Sequence, residues 1–196
     1  TEMLHIFISN YIDLITPGSS GKPVPGYEVR LMKEDNSEAD TNEIGELEVK
    51  GPTSAISYWN KPEKTKATFV GDWVKTGDKY TKDVNGIYKY CGRTDDMMKV
   101  SGQYVSPFEI EEALQSHKYV LEAAVVGKKD KDELLKPKAF VVLNGNNNET
   151  NLEKELTEHV KNILTPFKYP RWYEFVSSLP KTATGKIQRY KLSIEK

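Results

Sequence analysis

Four short stretches hold side chains whose types and spacing could do chemistry. In the first, Thr182-Ala183-Thr184-Gly185-Lys186, small hydroxyl residues and a glycine lead into one lysine. Such a flexible lead-in lets backbone approach a ligand closely, and the ammonium can act as a point charge toward phosphate or carboxylate. The second is Lys75-Thr76-Gly77-Asp78, where a turn just past a strand would present a carboxylate to adjacent hydroxyls such as those of a ribose. The third, Thr1-Glu2, sets a hydroxyl beside a carboxylate, a pair able to hold phosphate and Mg2+ respectively. The fourth is Arg93, a ribose or phosphate contact or else a partner for Asp95 or Asp96. Each stretch also has an ordinary reading: a solvated lysine, a Gly-Asp turn, a meaningless pair, a charged surface loop. No single stretch decides the matter.

Other chemistries are poorly served. His5, His117 and His159 are too scattered to suggest a metal site, and no Cys-x-x-Cys pattern exists. No Gly-x-Ser-x-Gly elbow and no glycine-rich nucleotide loop occurs. With 28 basic and 29 acidic residues the net charge is −1, which argues against nucleic acid as the main partner. There is no run of ~18 apolar residues to span a membrane. Cys91 is the sole cysteine, so an internal disulfide is impossible and a reducing, cytoplasmic setting is the expectation. The pattern fixes no oligomeric state.

The elements that must position these residues fall into two halves. Up to about residue 94, short β-type runs (residues 27–32, 45–50 and 87–92) alternate with turn signals, including Asn85-Gly86, a hairpin signal that wants positive φ at both residues. This half reads as an antiparallel β-rich subdomain. In the second half Ser106-Pro107-Phe108-Glu109 is a helix start with an N-cap serine and a proline at the first position. Residues 120–127 and 138–143 read as buried strands and 172–176 as a third strand. Thr150 with Glu153 suggests another capping box, ahead of a helix that Pro166 would stop. The class is α+β: the β-rich subdomain, then a small three-stranded sheet domain with flanking helices. Residues 92–105 read as a polar junction where the two could hinge.

Taken in order, Thr1-Glu2, GKPVPGYEV, GELEVKGP, TGD, GRTDDMMKVSGQYVSPFEIEEAL and PKTATGK resemble the C-terminal part of the adenylate-forming acyl-CoA synthetases, and most of all their benzoate-CoA ligase branch. The resemblance implies ATP, Mg2+ and coenzyme A acting on a benzoate-like carboxylic acid, which passes through an acyl-adenylate to a thioester. It implies residues 1–94 as the end of the large domain and 95–196 as a mobile lid. By that likeness Lys186 is catalytic, Thr1, Asp78 and Arg93 bind nucleotide, and Glu2 places the metal. Asp95 becomes the hinge, Ser101, Gly102 and Tyr104 line the coenzyme A path, and His5 and Ile6 line the acyl pocket. The family's phosphate loop and most of its acyl pocket would lie before Thr1, so a fragment that does not turn over alone is expected.

Overall fold

The computed structural model describes residues 1–13, 15–145, 151–165 and 167–193. Thr150 and Pro166, expected to start and stop a helix, lie outside them. The chain forms two compact units, Thr1–Asp95 and Asp96–Lys196.

The first unit is built on an antiparallel sheet. After the small pair β1 (Ile8–Ser9) and β2 (Lys22–Pro23) come β3 (Glu28–Met32) and β4 (Gly45–Lys50). The short helix α1 (Pro62–Thr68) leads into β5 (Phe69–Val70), β6 (Trp73–Lys82) and β7 (Tyr88–Arg93). The order is β3-β4-β6, with β5 and β7 also paired to β6. Alternation along the strands puts Leu31, Leu47, Val49 and Val74 on one buried face, with Leu31 opposite Leu47 and Val49 opposite Val74. Met3, Ala39 and Tyr88 complete that core.

Two features depart from the sequence reading. The turn expected at Gly77-Asp78 is absent; β6 runs straight through both residues. Between Lys75 and Lys79 the strand carries four steps while its partner β4 advances only from Glu48 to Glu46. The surplus residues are a bulge, and Gly77 absorbs it at φ +71°. In the β6–β7 hairpin, Gly86 alone of the Asn85-Gly86 pair has positive φ, at +74°. The Asp83 carboxylate accepts from the amides of Asn85 at 2.9 Å and Ile87 at 2.7 Å, and the Gly86 amide donates to the Asp83 carbonyl at 3.0 Å. That is a turn followed by a left-handed glycine rather than a two-residue loop.

A 3-10 turn, Thr94–Asp96, carries the chain from the first unit into the second, which opens with a hairpin of β8 (Met98–Val100) and β9 (Gln103–Val105). Helix α2 (Pro107–Gln115) starts as its sequence dictates, with the Ser106 hydroxyl accepting the Glu109 amide at 3.1 Å. Then come β10 (Val120–Lys129), β11 (Leu135–Leu143), α3 (Leu152–Ile163) and β12 (Trp172–Phe175), with the single turn α4 (Arg189–Leu192) near the end. The sheet is β10-β11-β12, antiparallel then parallel. Residues 92–105, expected as a polar linker, are mostly ordered: Met98, Val100 and Val105 are buried in this unit's core.

The apolar run from Val120 is continuous because the sheet is covered on both faces. Ala123, Val125, Ala139 and Val141 meet α2 and α3 residues such as Ile110, Leu114, Leu156 and Val160. Ala124, Val126, Phe140 and Val142 meet Leu179 and Leu192, with Ile187 packed alongside. The stretch that carries Lys186 therefore seals the sheet's second face. No helix among the described residues is long and apolar enough to cross a membrane.

Candidate functional site

Four of the residues singled out in the sequence, Thr1, Glu2, Asp78 and Arg93, line one cavity of about 400 Å3 in the first unit, although the first and last are 92 positions apart. The sheet makes this possible. Asp78 on β6 lies directly opposite Arg93 on β7. Arg93 Nη1 donates to Asp78 Oδ1 at 2.8 Å and to the Thr76 carbonyl at 2.9 Å. The bulge is what admits the guanidinium: a Cβ on Gly77 would sit 2.8 Å from Arg93 Nη2 and 3.2 Å from its Cζ. Thr76 braces the same bulge, its hydroxyl donating to the Leu47 carbonyl at 3.0 Å and accepting the Asp78 amide at 3.1 Å. Asp78 is thus fixed in backbone and in side chain.

Glu2 is held differently. Tyr58 donates its phenolic hydroxyl to Glu2 Oε1 at 2.6 Å, and this bond is the main cause of a Glu2 pKa below the ordinary carboxylate value. Burial, then the Glu2 contact, push Tyr58 upward. Lys75, from the second of the four stretches, also lines the cavity, as do Tyr58, Phe7 and Lys64, which were not singled out by the sequence reading. Lys64 stands over the Tyr58 ring at 4.3 Å. No signal in the sequence marks Tyr58, because its bond to Glu2 joins residues 56 positions apart.

The donor set bears on a metal. Among the described residues no cluster of three or more His, Cys, Asp or Glu side chains could cage a cation. Mg2+ is commonly held by one or two carboxylates together with substrate phosphates. The Glu2 carboxylate, on a wall shared with Glu46 and Asp78, fits an ion that arrives with a nucleotide.

The remaining residues lie elsewhere. His5 and Ile6 are exposed and do not line this cavity; His5 Nδ1 lies 3.3 Å from the Ile6 carbonyl. Asp95 is exposed in the middle of the 3-10 turn Thr94–Asp96, at the last position of the first unit. In the second unit Ser101 and Gly102, at φ +50° and +81°, form the two-residue turn joining β8 to β9. Tyr104 follows on β9, with Lys99 Nζ 5.5 Å from its ring centre. Lys186 is exposed at the end of a tight turn. The Thr182 hydroxyl accepts the Lys186 amide at 3.1 Å and lies 3.0 Å from the Thr184 hydroxyl; the Thr182 amide donates to the Lys186 carbonyl at 2.8 Å. The flexible lead-in expected from the sequence is instead a closed, internally bonded loop, with Gly185 at φ +82° supplying its reversal.

Residues 109–186 match the AMP-binding enzyme C-terminal domain. The chain is 60% identical over 194 residues to the benzoate–CoA ligase of Thauera aromatica, a match covering 98% of this chain and 37% of that protein. Over residues 109–186 the chain carries an AMP-binding enzyme C-terminal domain. Among solved structures, the anthranilate CoA ligase AuaEII in complex with anthranoyl-AMP superposes with a TM-score of 0.92 at 48% identity, over 97% of this chain and 37% of that one. A benzoate CoA ligase from Burkholderia xenovorans LB400 gives 0.89 at 52% identity, over 97% of this chain and 38% of that one. The chain spans less than two-fifths of the length of these relatives.

Proposed function

We propose that this chain is the C-terminal region of an ATP-dependent benzoate–CoA ligase, with residues 1–94 completing the large domain and 95–196 forming its mobile lid. The carrying observation is the shared cavity: a carboxylate fixed against a guanidinium, and a second carboxylate held by a tyrosine, all on its wall. Its 60% identity to one benzoate–CoA ligase favours benzoate as the acid. The likeness to an anthranilate ligase at 48% keeps a substituted benzoate as the second reading.

In this reading the Asp78 carboxylate accepts from the ribose hydroxyls of ATP, and Arg93, held by Asp78 and the Thr76 carbonyl, lends positive charge beside the nucleotide. The Thr1 hydroxyl donates to phosphate. Glu2 would hold Mg2+, which when bound neutralises polyphosphate charge. The acid's carboxylate attacks the α-phosphate and pyrophosphate leaves; two anions meet, so catalysis must bring cationic charge to the reacting oxygens. Lys186 supplies it. The coenzyme A thiol then attacks the acyl carbonyl and AMP departs, with Ser101, Gly102 and Tyr104 lining the pantetheine path and Asp95 serving as the hinge of the lid. His5 and Ile6 stand toward the acid, whose pocket needs further chain.

The test is ATP–pyrophosphate exchange with benzoate in the intact enzyme. Lys186→Ala is expected to cripple exchange while leaving thioester formation from synthetic benzoyl-adenylate much less affected. Equal loss in both half-reactions refutes the role of Lys186. Absence of exchange with benzoate and with 2- or 4-substituted benzoates refutes the ligase reading in favour of a binding module.

A further inference from the structure

The Lys186 loop is closed on itself, so its aim depends on what holds its two ends. One end is Lys181, bridged to Ile187 across the loop and ion-paired with Glu122 on β10. The Gln188 amide donates to the Pro180 carbonyl at 2.8 Å, tying the other end beneath it. The next residue is Arg189.

Arg189 is anchored more heavily than any structural lysine could be. Its Nη2 reaches Glu111 Oε2 at 2.7 Å and Oε1 at 3.0 Å, and its Nε reaches Oε1 at 3.2 Å. Glu111 is 3% exposed and also accepts the Val125 amide of β10 at 2.8 Å. Arg189 Nη1 turns the other way, to Asp96 Oδ2 at 3.3 Å. One planar guanidinium therefore ties three things within the second unit: the loop of Lys186, the buried edge of α2 and β10, and the unit's first residue. A fork of fixed donors can do this; a lysine, with a single compact ammonium, cannot reproduce it. Below it α4 is only one turn long, pinned through Leu192, which is 7% exposed.

We propose that Arg189 is a positioning residue for Lys186: clamped by Glu111 and Asp96, it sets the direction of the Thr182–Lys186 loop relative to the start of the lid. The inference rests on the adenylation role proposed for Lys186. The second unit's own core continues under the loop, so loosening the clamp frees the loop without dissolving the sheet.

Two measurements separate this idea from the reading beneath it. Amide hydrogen exchange on this chain is expected to show Lys186 and Gly185 exchanging on the order of 10-fold faster in Arg189→Lys and in Glu111→Gln, with the Ala124 and Val141 amides unchanged. Unchanged loop exchange overturns the proposal whatever the activity; equal acceleration at Ala124 and Val141 means general destabilisation and overturns it too. In the intact enzyme, Arg189→Lys is expected to lower adenylation turnover on the order of 10- to 100-fold with little change in KM for ATP. The same change added to Lys186→Ala is expected to cost nothing more, since it acts through that lysine. Full additivity in the double variant refutes positioning. A Lys186→Ala enzyme that still adenylates normally refutes the role of Lys186 while the exchange data still judge the clamp.

Discussion

Gly77 and Gly86 offer a matched pair of substitutions that isolates the Asp78–Arg93 arrangement. Both sit in the left-handed region, at φ +71° and +74°, so alanine at either position carries the same backbone penalty of about 1–2 kcal/mol. Their surroundings differ. A Cβ at Gly86 meets no described atom within 4 Å, whereas at Gly77 it lies 2.8, 3.2 and 3.3 Å from three atoms of the Arg93 guanidinium. Arginine is flexible at that end, so it yields rather than straining the sheet, moving by about half an ångström to reach ordinary contact. Its bonds to Asp78 and Thr76, now 2.8 and 2.9 Å, are then stretched to the edge of useful hydrogen-bond length. Asp78 and Arg93 are 27% and 47% exposed, so losing the pair adds less than about 1 kcal/mol to the stability cost. Urea titration should therefore show Gly77→Ala and Gly86→Ala within about 1 kcal/mol of each other. AMP titration of the intact enzyme should separate them, with Gly77→Ala binding roughly tenfold more weakly, about 1.4 kcal/mol, and Gly86→Ala near wild type. Equal weakening in both would show that the guanidinium's seat on Gly77 has no bearing on the nucleotide.

Two further outcomes follow from the carboxylates. Tyr58→Phe removes the bond that lowers the Glu2 pKa and is expected to cost about 1 kcal/mol at pH 7. A lowered carboxylate pKa stabilises the fold above the unfolded value near 4.5 and loses that contribution as pH falls through the folded value. The difference between wild type and variant in urea should thus shrink below pH 4.5, and a pH-independent difference would refute it. Glu111 runs the other way: burial raises its pKa against the opposing pull of Arg189. Stability from this group is present below pH 4.5 and declines as pH rises through the raised value. Glu111→Gln should flatten that decline, and its full retention would assign it to other groups.

Much of the scaffold could be read from local sequence, because the deciding interactions there are local. Ser106 caps its helix within three residues, and the period of two in β3 and β4 names the buried face of the first sheet. The run from Val120 could be read as a buried strand but not what buries it, since its second cover comes from Leu179 and Leu192 far along the chain. At Thr76-Gly77-Asp78 the local signal misled: glycine followed by aspartate marks a turn by composition, yet here the positive φ is taken up within a strand. Whether such a glycine turns the chain or bulges it depends on the partner strands, which are remote. Tyr58 escaped notice for the same reason.

The bulge explains why strand position suits a ligand-holding carboxylate better than the turn that composition suggests. At a turn, Asp78 would have solvent around it and rotamers to lose on binding, each immobilised side chain costing roughly 0.5–1.5 kcal/mol. In β6 its amide is bonded to Thr76, its carboxylate to Arg93, and its backbone lies in register with β7. That cost is met when the sheet forms. The same logic holds in the second unit, where the loop of Lys186 is bonded within itself and its neighbour Arg189 is locked to two carboxylates. In both units the side chain proposed to meet ligand reaches solvent, Asp78 in part and Lys186 fully, while the backbone beneath it is held by hydrogen bonds. The residues that do the fixing, Thr76 and Gly77 in one and Thr182 and Arg189 in the other, have the more stringent geometric demands. On the proposed lid reading, a lysine on so firm a base changes place only with its whole unit, which assigns its travel to the proposed hinge at Asp95 rather than to slack in the loop.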